Sequence, residues 1–311
     1  MSGHGIVYLG NKKRGAECLK WLIHEGFQID HALGLEPDPH EIIYYDRIQD
    51  IAAQAGIPYT HYRPGCAAQV LDIFRSQHPA IALAVGWRHL IKEDALAFTR
   101  HGGYAIHDSL LPRYRGSAPT TWAVINGEKQ AGTTLFKLAP GIDAGPIVGQ
   151  ESVSIDPSEY IDTLFDRIDD ASLHLVQKHA KKLVDGTAGL EKQDESKATY
   201  GCHRVPDDGE IDWNWPTLKI FNWIRALSRP NPGAFTTLKG TRLFIWRARP
   251  HLQPRIFEGR IPGRIAGLDR QQGAEILTGD GSLFLTEAQI DGHAAQPAVE
   301  IIKSHKIRLG A

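Results

Sequence analysis

His107 and Asp143 are the residues of this 311-residue chain whose types and spacing point most directly to chemistry. His107 opens the run His107-Asp108-Ser109-Leu110-Leu111-Pro112-Arg113-Tyr114-Arg115-Gly116. Asp143 follows thirty-six positions later, within Gly141-Ile142-Asp143-Ala144-Gly145. An imidazole changes charge near neutrality, and a neighbouring carboxylate favours its protonated form, so the two make an acid/base pair. Other roles stay open at this point: a structural histidine at a strand end, and a turn-forming aspartate between glycines. Ala105 lies two residues before His107 and projects to the same strand face.

Stepping out from that pair, each member follows an apolar run, Tyr104–His107 and Thr134–Leu138. An open sheet places its chemistry where such runs give way to turns. Ile6–Leu9 and Ile81–Val85 are further short apolar runs. Ala16, Leu19, Leu22 and Ile23 recur at helical spacing, and Ala118–Ile125 reads as helical. Strands alternating with helices predict a parallel sheet covered on both faces. The Gly10-Asn11 turn lacks G-x-G-x-x-G and gives no dinucleotide signal. Ser158–Asp185 reads as one long amphipathic helix with Ile161, Leu164, Ile168, Ala171 and Leu175 on its face, stopped by Gly186.

The texture changes after a polar connector at Lys192–Ala198. Leu218–Leu227 reads as a helix. Ala234–Leu238, Leu243–Trp246, Gly263–Ala266, Glu275–Leu277 and Leu283–Ala288 read as short strands, with Gly279-Asp280-Gly281 as a hairpin turn. That spacing predicts a small barrel. The expected architecture is α/β: a Rossmann-like open parallel sheet at 1–190, a linker at 191–205, and a small OB-like β-barrel at 206–311.

The composition is that of an ordinary globular protein, 42% hydrophobic and 23% charged. A formal charge of −1 leaves no global field to recruit nucleic acid or an anionic membrane. Cys18, Cys66 and Cys202 match no metal-ligand spacing, and the expectation is no metal and buried, reduced thiols. The apolar run at Ile6–Leu9 is too short for a signal peptide, and no stretch is long enough to span a membrane; a cytoplasmic location is the default.

The run around His107 and the distant Asp143 resemble the signature of the 10-formyltetrahydrofolate-dependent formyltransferases, Asn-x-His-x-Ser-Leu-Leu-Pro followed by Asp in a Gly-rich loop. That family includes methionyl-tRNA formyltransferases, glycinamide ribonucleotide transformylases and sugar-nucleotide N-formyltransferases. Arg204–Trp213 and Arg225–Phe235 are similar to its linker-region motifs, so the resemblance covers nearly the whole chain. It implies that His107 and Asp143 are catalytic and that 10-formyltetrahydrofolate is the donor. It also implies a pterin site formed by Val85, Gly86, Trp87, Arg88 and Leu90, facing Ala139, Pro140, Gly141 and Ile142.

The chain departs from the pattern at Ala105, which stands where the family has the asparagine that donates to the formyl oxygen. Loss of one such donor typically costs about 10²–10³ in rate. Another donor (a water, Ser109 or a backbone N–H) compensates, or the residue is an engineered change, or the site binds without efficient turnover. Ser109, Arg113, Arg115, Arg204 and Arg225 are candidates for the acceptor site, because guanidinium matches phosphate geometry. For each arginine the alternative is a solvated or structural side chain.

The leading reading of the acceptor is a small-molecule amine on a nucleotide-linked sugar. The runner-up is initiator tRNA. Residues 206–311 carry fourteen Lys and Arg against eleven Asp and Glu, a net of +3, weak for a domain that grips phosphates. A folate-binding or hydrolytic protein of impaired activity is a third reading, and a homodimer stays open.

Overall fold

The computed structural model describes residues 5–36, 45–63 and 65–310. The first half carries β1 (Ile6–Gly10), α1 (Lys12–His24), β2 (Ile29–Leu35), α2 (Ile48–Gln54), β3 (Tyr59–Tyr62), α3 (Ala67–Gln77), β4 (Ile81–Val85), α4 (Glu93–Leu96) and β5 (Gly103–His107). Then come β6 (Arg115–Gly116), α5 (Pro119–Ile125), β7 (Gln130–Lys137), β8 (Ile147–Ser154), α6 (Ile161–Val184) and β9 (Tyr200–Gly201). The second half holds α7 (Thr217–Leu227), β10 (Ala234–Leu238), β11 (Thr241–Pro250), β12 (Ile265–Asp269), β13 (Gly273–Leu277), β14 (Ser282–Ile290), β15 (Gln296–Pro297) and α8 (Ala298–Ile301).

Seven strands form the main sheet in the order β3-β2-β1-β4-β5-β7-β8. The first five are parallel, as the alternating pattern predicts. Unbroken apolar strands need cover on both faces, and they have it. Ile6 and Tyr8 join Leu19, Leu22, Leu83, Leu175 and Leu183 in one core, while Val7 and Leu9 join Leu33, Phe74, Ala82 and Ala84 in the other. Ala105 packs against this second core and Ile106 against the first, the alternation expected of a strand.

The sheet is not parallel throughout. The strand expected at Thr134–Leu138 falls in β7, which runs antiparallel to both β5 and β8. A parallel crossover needs a helix long enough to cover the sheet, and α5 has only seven residues. β7 consequently first meets β5 at His107 and ends beside Tyr104, with His107 paired to Thr134 and Tyr104 to Lys137.

Two compact units emerge, and their boundaries do not match a single linker. The first comprises Met1–Pro119, Gln130–Ser154 and Asp166–Cys202; the second comprises Thr120–Lys129, Ile155–Phe165 and His203–Ala311. The segment 191–205 read as a connector is therefore divided, with its first twelve residues built into the first unit. The second unit has an antiparallel sheet with strand path β10-β11-β14-β13-β12, and β15 pairs with β14. The Gly279-Asp280-Gly281 hairpin joins β13 to β14 as expected, and the Asp280 carboxylate accepts from Thr217 N at 2.7 Å and Thr217 Oγ at 2.8 Å. Of the three thiols only Cys18 is buried; Cys66 is half-buried and Cys202 exposed, contrary to the expectation of buried cysteines. Among the described residues no helix is long and apolar enough to cross a membrane.

A buried ion cluster ties the helices to the end of β5. Arg14, in the first turn of α1, pairs with Asp108, and its Nε lies 2.8 Å from Asp169 Oδ1 on α6. The Arg14 and Asp169 side chains are only 7% and 8% exposed. Burial works against the Arg14 charge, but Asp108 and then Asp169 outweigh it and hold the guanidinium above its ordinary value. Burial likewise pushes the Asp169 carboxyl up, with Arg14 pulling the other way. Because Asp108 follows His107 directly, this cluster fixes the strand end that carries the histidine. Removing one partner strands buried charge, so Arg14→Met is expected to destabilise the protein by about 3–5 kcal/mol. Denaturant unfolding measures it, and a loss below about 1 kcal/mol would show the cluster to be uncoupled from folding.

Candidate active site

His107 closes β5, and its ring is held at both nitrogens. Nε2 lies 2.8 Å from the Tyr114 carbonyl oxygen, and Nδ1 lies 3.4 Å from Asp143 Oδ2. The first is a hydrogen bond; the second is an ion-pair distance. A neutral imidazole has one N–H, whereas this ring meets an oxygen acceptor on each side. The His107 side chain is 11% exposed, so these contacts are not dissolved in bulk water.

The carbonyl that meets Nε2 is aimed by the backbone. Tyr114 adopts φ 58°, in the left-handed region that a bulky residue enters only when the surrounding structure demands it. The loop before it is pinned from β7 and β8. Thr134 Oγ1 donates to Ser109 O at 2.6 Å and accepts from Leu111 N at 3.2 Å. Gln150 Nε2 donates to Leu111 O and to Thr134 Oγ1, both at 2.9 Å. The Ser109 hydroxyl is buried and donates to Arg113 O at 2.7 Å. Its proton is committed to closing this loop.

Asp143 reaches the histidine from an unexpected direction. Because β7 is antiparallel, the loop after Lys137 starts level with Tyr104 and must run back along three residues of β5, roughly 10 Å. Gly141 at φ 95° and Asp143 itself at φ 48° make that reversal. Gly145 is packed so closely that a Cβ there would fall 1.7 Å from Lys137 O. At the end of this path Asp143 Oδ2 accepts from Gly116 N at 2.7 Å, so a single carboxylate oxygen serves both Gly116 and the histidine.

The candidate pterin residues lie in two places. Val85 is buried at the end of β4, and Gly86, Trp87, Arg88 and Leu90 form the loop beyond it. Gly86 takes φ 68°, and a Cβ there would come within 2.2 Å of Asn11 O, so the turn after β4 packs on the turn after β1. Trp87 sits edge-on to Tyr62, with ring centroids 5.1 Å apart. Arg88 donates to Glu36 O at 2.9 Å. Ala139, Pro140, Gly141 and Ile142 are exposed, and Leu90 at 87% and Ile142 at 63% hold apolar side chains open to solvent. Asn11 Nδ2 and Trp87 Nε1 are buried donors with no hydrogen-bond partner among the described residues.

The arginines read as phosphate clamps sort differently. Arg115 is 1% exposed and bound by Gln193 and Glu195, and its hydrogen bonds to Glu195 hold it above the ordinary arginine value. Arg225 is 2% exposed; it donates to Asn222 Oδ1 at 2.9 Å and to Glu159 O at 2.8 Å. Both guanidinium groups are buried against partners within the protein. Arg204 lies over two indoles, 5.6 Å from the Trp122 centroid and 5.7 Å from that of Trp223, and burial lowers it below the ordinary value. Arg113 alone is exposed, with its guanidinium 5.2 Å from the Tyr114 ring centroid. Arg14, Asp169, Gln150 and Gln193 support the site without having been singled out from sequence.

Residues 52–178 match the formyl transferase family, and residues 205–306 match the formyl transferase C-terminal domain. Among solved structures, HypX from Aquifex aeolicus in complex with tetrahydrofolic acid is 15% identical with a TM-score of 0.66, covering 96% of this chain and 47% of that one. The chain thus spans about half the length of HypX. The N-formyltransferase from Helicobacter canadensis, in complex with folinic acid and dTDP-3-aminofucose, is 16% identical with a TM-score of 0.66, covering 92% and 99%. WlaRD, a sugar 3N-formyl transferase solved in the presence of dTDP and 5-N-formyl-THF, is 16% identical with a TM-score of 0.66, covering 93% and 98%. At these identities the likeness establishes the fold. Since the two matched segments together take up well over half of its residues, the chain belongs to the formyltransferase family.

Proposed function

We propose that the chain transfers a formyl group from 10-formyltetrahydrofolate to the amine of a nucleotide-linked amino sugar. The observation that carries this reading is the His107 ring held between the Tyr114 carbonyl and Asp143. The donor supplies an activated formyl carbon that an amine attacks, giving a formamide and tetrahydrofolate. The attacking amine must lose a proton and the departing nitrogen must gain one. His107 is placed to carry it, because Nε2 is held only by a neutral carbonyl while Nδ1 faces a carboxylate that keeps the ring oriented.

The residues present fit a folate donor. Asn11 Nδ2 and Trp87 Nε1 leave two buried hydrogen-bond donors without acceptors near the ends of β1 and β4, and a pterin ring offers a carbonyl and ring nitrogens. The open Leu90 and Ile142 side chains suit a flat apolar body. The sugar-acting relatives, with nearly their whole length covered, support the amino-sugar acceptor. The weak +3 balance after residue 206 speaks against tRNA.

The test is release of tetrahydrofolate with and without an amino-sugar nucleotide. Release that depends on the amine is expected. Amine-independent release would make the protein a hydrolase, no release would leave a binding protein, and salt-sensitive binding of initiator tRNA would favour the tRNA reading. Asp143→Asn should lower kcat by about 10²–10⁴ with donor binding retained, and a rate within twofold of the parent would remove Asp143 from the chemistry. Ala105→Asn restores an amide on the face that carries His107 and should raise kcat, by up to about 10²-fold. An unchanged or lower rate in a folded variant would show that residue 105 does not line the reacting centre.

A further inference from the structure

Gln193 lies in the polar stretch after α6, far in sequence from His107, yet its side chain meets the turn that carries Asp143. Its Nε2 donates to Asp143 O at 2.7 Å and to Gly145 O at 2.6 Å. Its Oε1 accepts from Arg115 Nη2 at 2.7 Å and Arg115 Nε at 3.1 Å. The orientation of this amide follows from chemistry: carbonyls only accept and a guanidinium only donates, so just one of the two flips satisfies all four bonds. Gln193 is 5% exposed, so an unmatched flip would bury unpaired polar atoms.

Arg115 is fixed in turn. Its Nη1 and Nη2 donate to the two Glu195 carboxylate oxygens at 2.8 and 2.7 Å, and Nη1 to Tyr200 Oη at 3.3 Å. The backbone repeats the connection. Arg115–Gly116 pairs in parallel with Tyr200–Gly201, Tyr114 N donates to Thr199 Oγ1 at 2.9 Å, and Arg115 N donates to Thr199 O at 2.8 Å. The segment 193–201 therefore grips both parts of the site at once: the Tyr114–Gly116 backbone that contacts His107 and Asp143, and the turn from which Asp143 projects.

We propose that Gln193 is a positioning residue of the active site, whose side-chain amide sets the approach of Asp143 to His107 while Arg115 and Glu195 hold that amide in place. This rests on reading His107 and Asp143 as the reacting pair. The Asp143 turn doubles back from the far end of β5 with left-handed backbone at Gly141 and Asp143, and two carbonyls bound by one amide restrain both its position and its twist.

Two variants separate the ends of the amide. Gln193→Glu keeps an oxygen for Arg115 but sets a second oxygen against the two carbonyls; Gln193→Met removes both sets of bonds at similar volume. The first readout needs no substrate: hydrogen exchange of the Gly116 amide, which donates to Asp143 Oδ2. Both variants should speed it by about tenfold or more while the Tyr104 amide in β5 exchanges as before. The second is a cycle on kcat for formyl transfer. Each variant should lose about 10–100-fold, with both KM values within about twofold, in the parent protein, and less than about twofold further in an Asp143→Asn background.

Unchanged Gly116 exchange in either variant overturns the proposal. So does an equal loss in both backgrounds, which would mean that Gln193 acts elsewhere than through Asp143. Faster exchange at Tyr104 as well would make Gln193 a general stabiliser and likewise overturn it. A parent protein that transfers no formyl group would sink the functional reading, and the exchange data would then decide the positioning role alone.

Discussion

The antiparallel course of β7 is the constraint on which the site depends. It puts the start of the Asp143 loop beside Tyr104, about three residues short of His107, so the carboxylate has to be brought back along the sheet. A loop that reverses in this way gains no ladder hydrogen bonds of its own and needs partners from elsewhere. Gly116 N supplies one to the carboxylate, and the Gln193 side chain supplies two to the backbone. From the opposite side Arg14 secures Asp108, the neighbour of His107, to α1 and α6. The neighbour of the histidine and the turn of the aspartate are thus each held by a charged or amide group outside the pair.

Several strong polar groups in this chain are spent on architecture. Arg115, Arg225 and Arg14 are each buried, and each pairs with carboxylates or carbonyls of the protein. A guanidinium carries five donors in a rigid fork and is suited to tying several chain segments at one point. The same geometry suits phosphate, which is why residue type alone cannot separate the two uses. Burial and the partner set do separate them. By burial Arg113 stands apart from Arg115, Arg225 and Arg14, exposed beside Tyr114.

Much of this was legible in the sequence, and the reasons for the rest are physical. The strands Ile6–Gly10 and Ile81–Val85 announced themselves because burial on both faces demands unbroken apolar runs. His107 and Asp143, which the fold brings to 3.4 Å of each other, stood out because the flanking turn residues form a compact local pattern. The direction of β7 was not legible, since an apolar run reads alike in either sense. Gln193 was hidden within a polar connector: periodicity reports which side chains avoid water and says nothing of an amide that leaves water for two carbonyls. Asp169 was missed for the same reason, one place along from the Ile168 that marks the apolar face of α6.

The absent amide at residue 105 gains a sharper meaning from these contacts. The Ser109 hydroxyl proton already goes to Arg113 O. The His107 ring meets oxygen at both nitrogens, so an N–H of the ring reaches a ligand only by giving up the Tyr114 carbonyl or Asp143. Of the two, the Tyr114 carbonyl stands at hydrogen-bond distance, 2.8 Å, and Asp143 Oδ2 farther off at 3.4 Å. β5 itself offers no side-chain amide beside His107, since residue 105 is alanine. On the proposed formyl-transfer reading, the bond under attack therefore has to be polarised by groups outside β5.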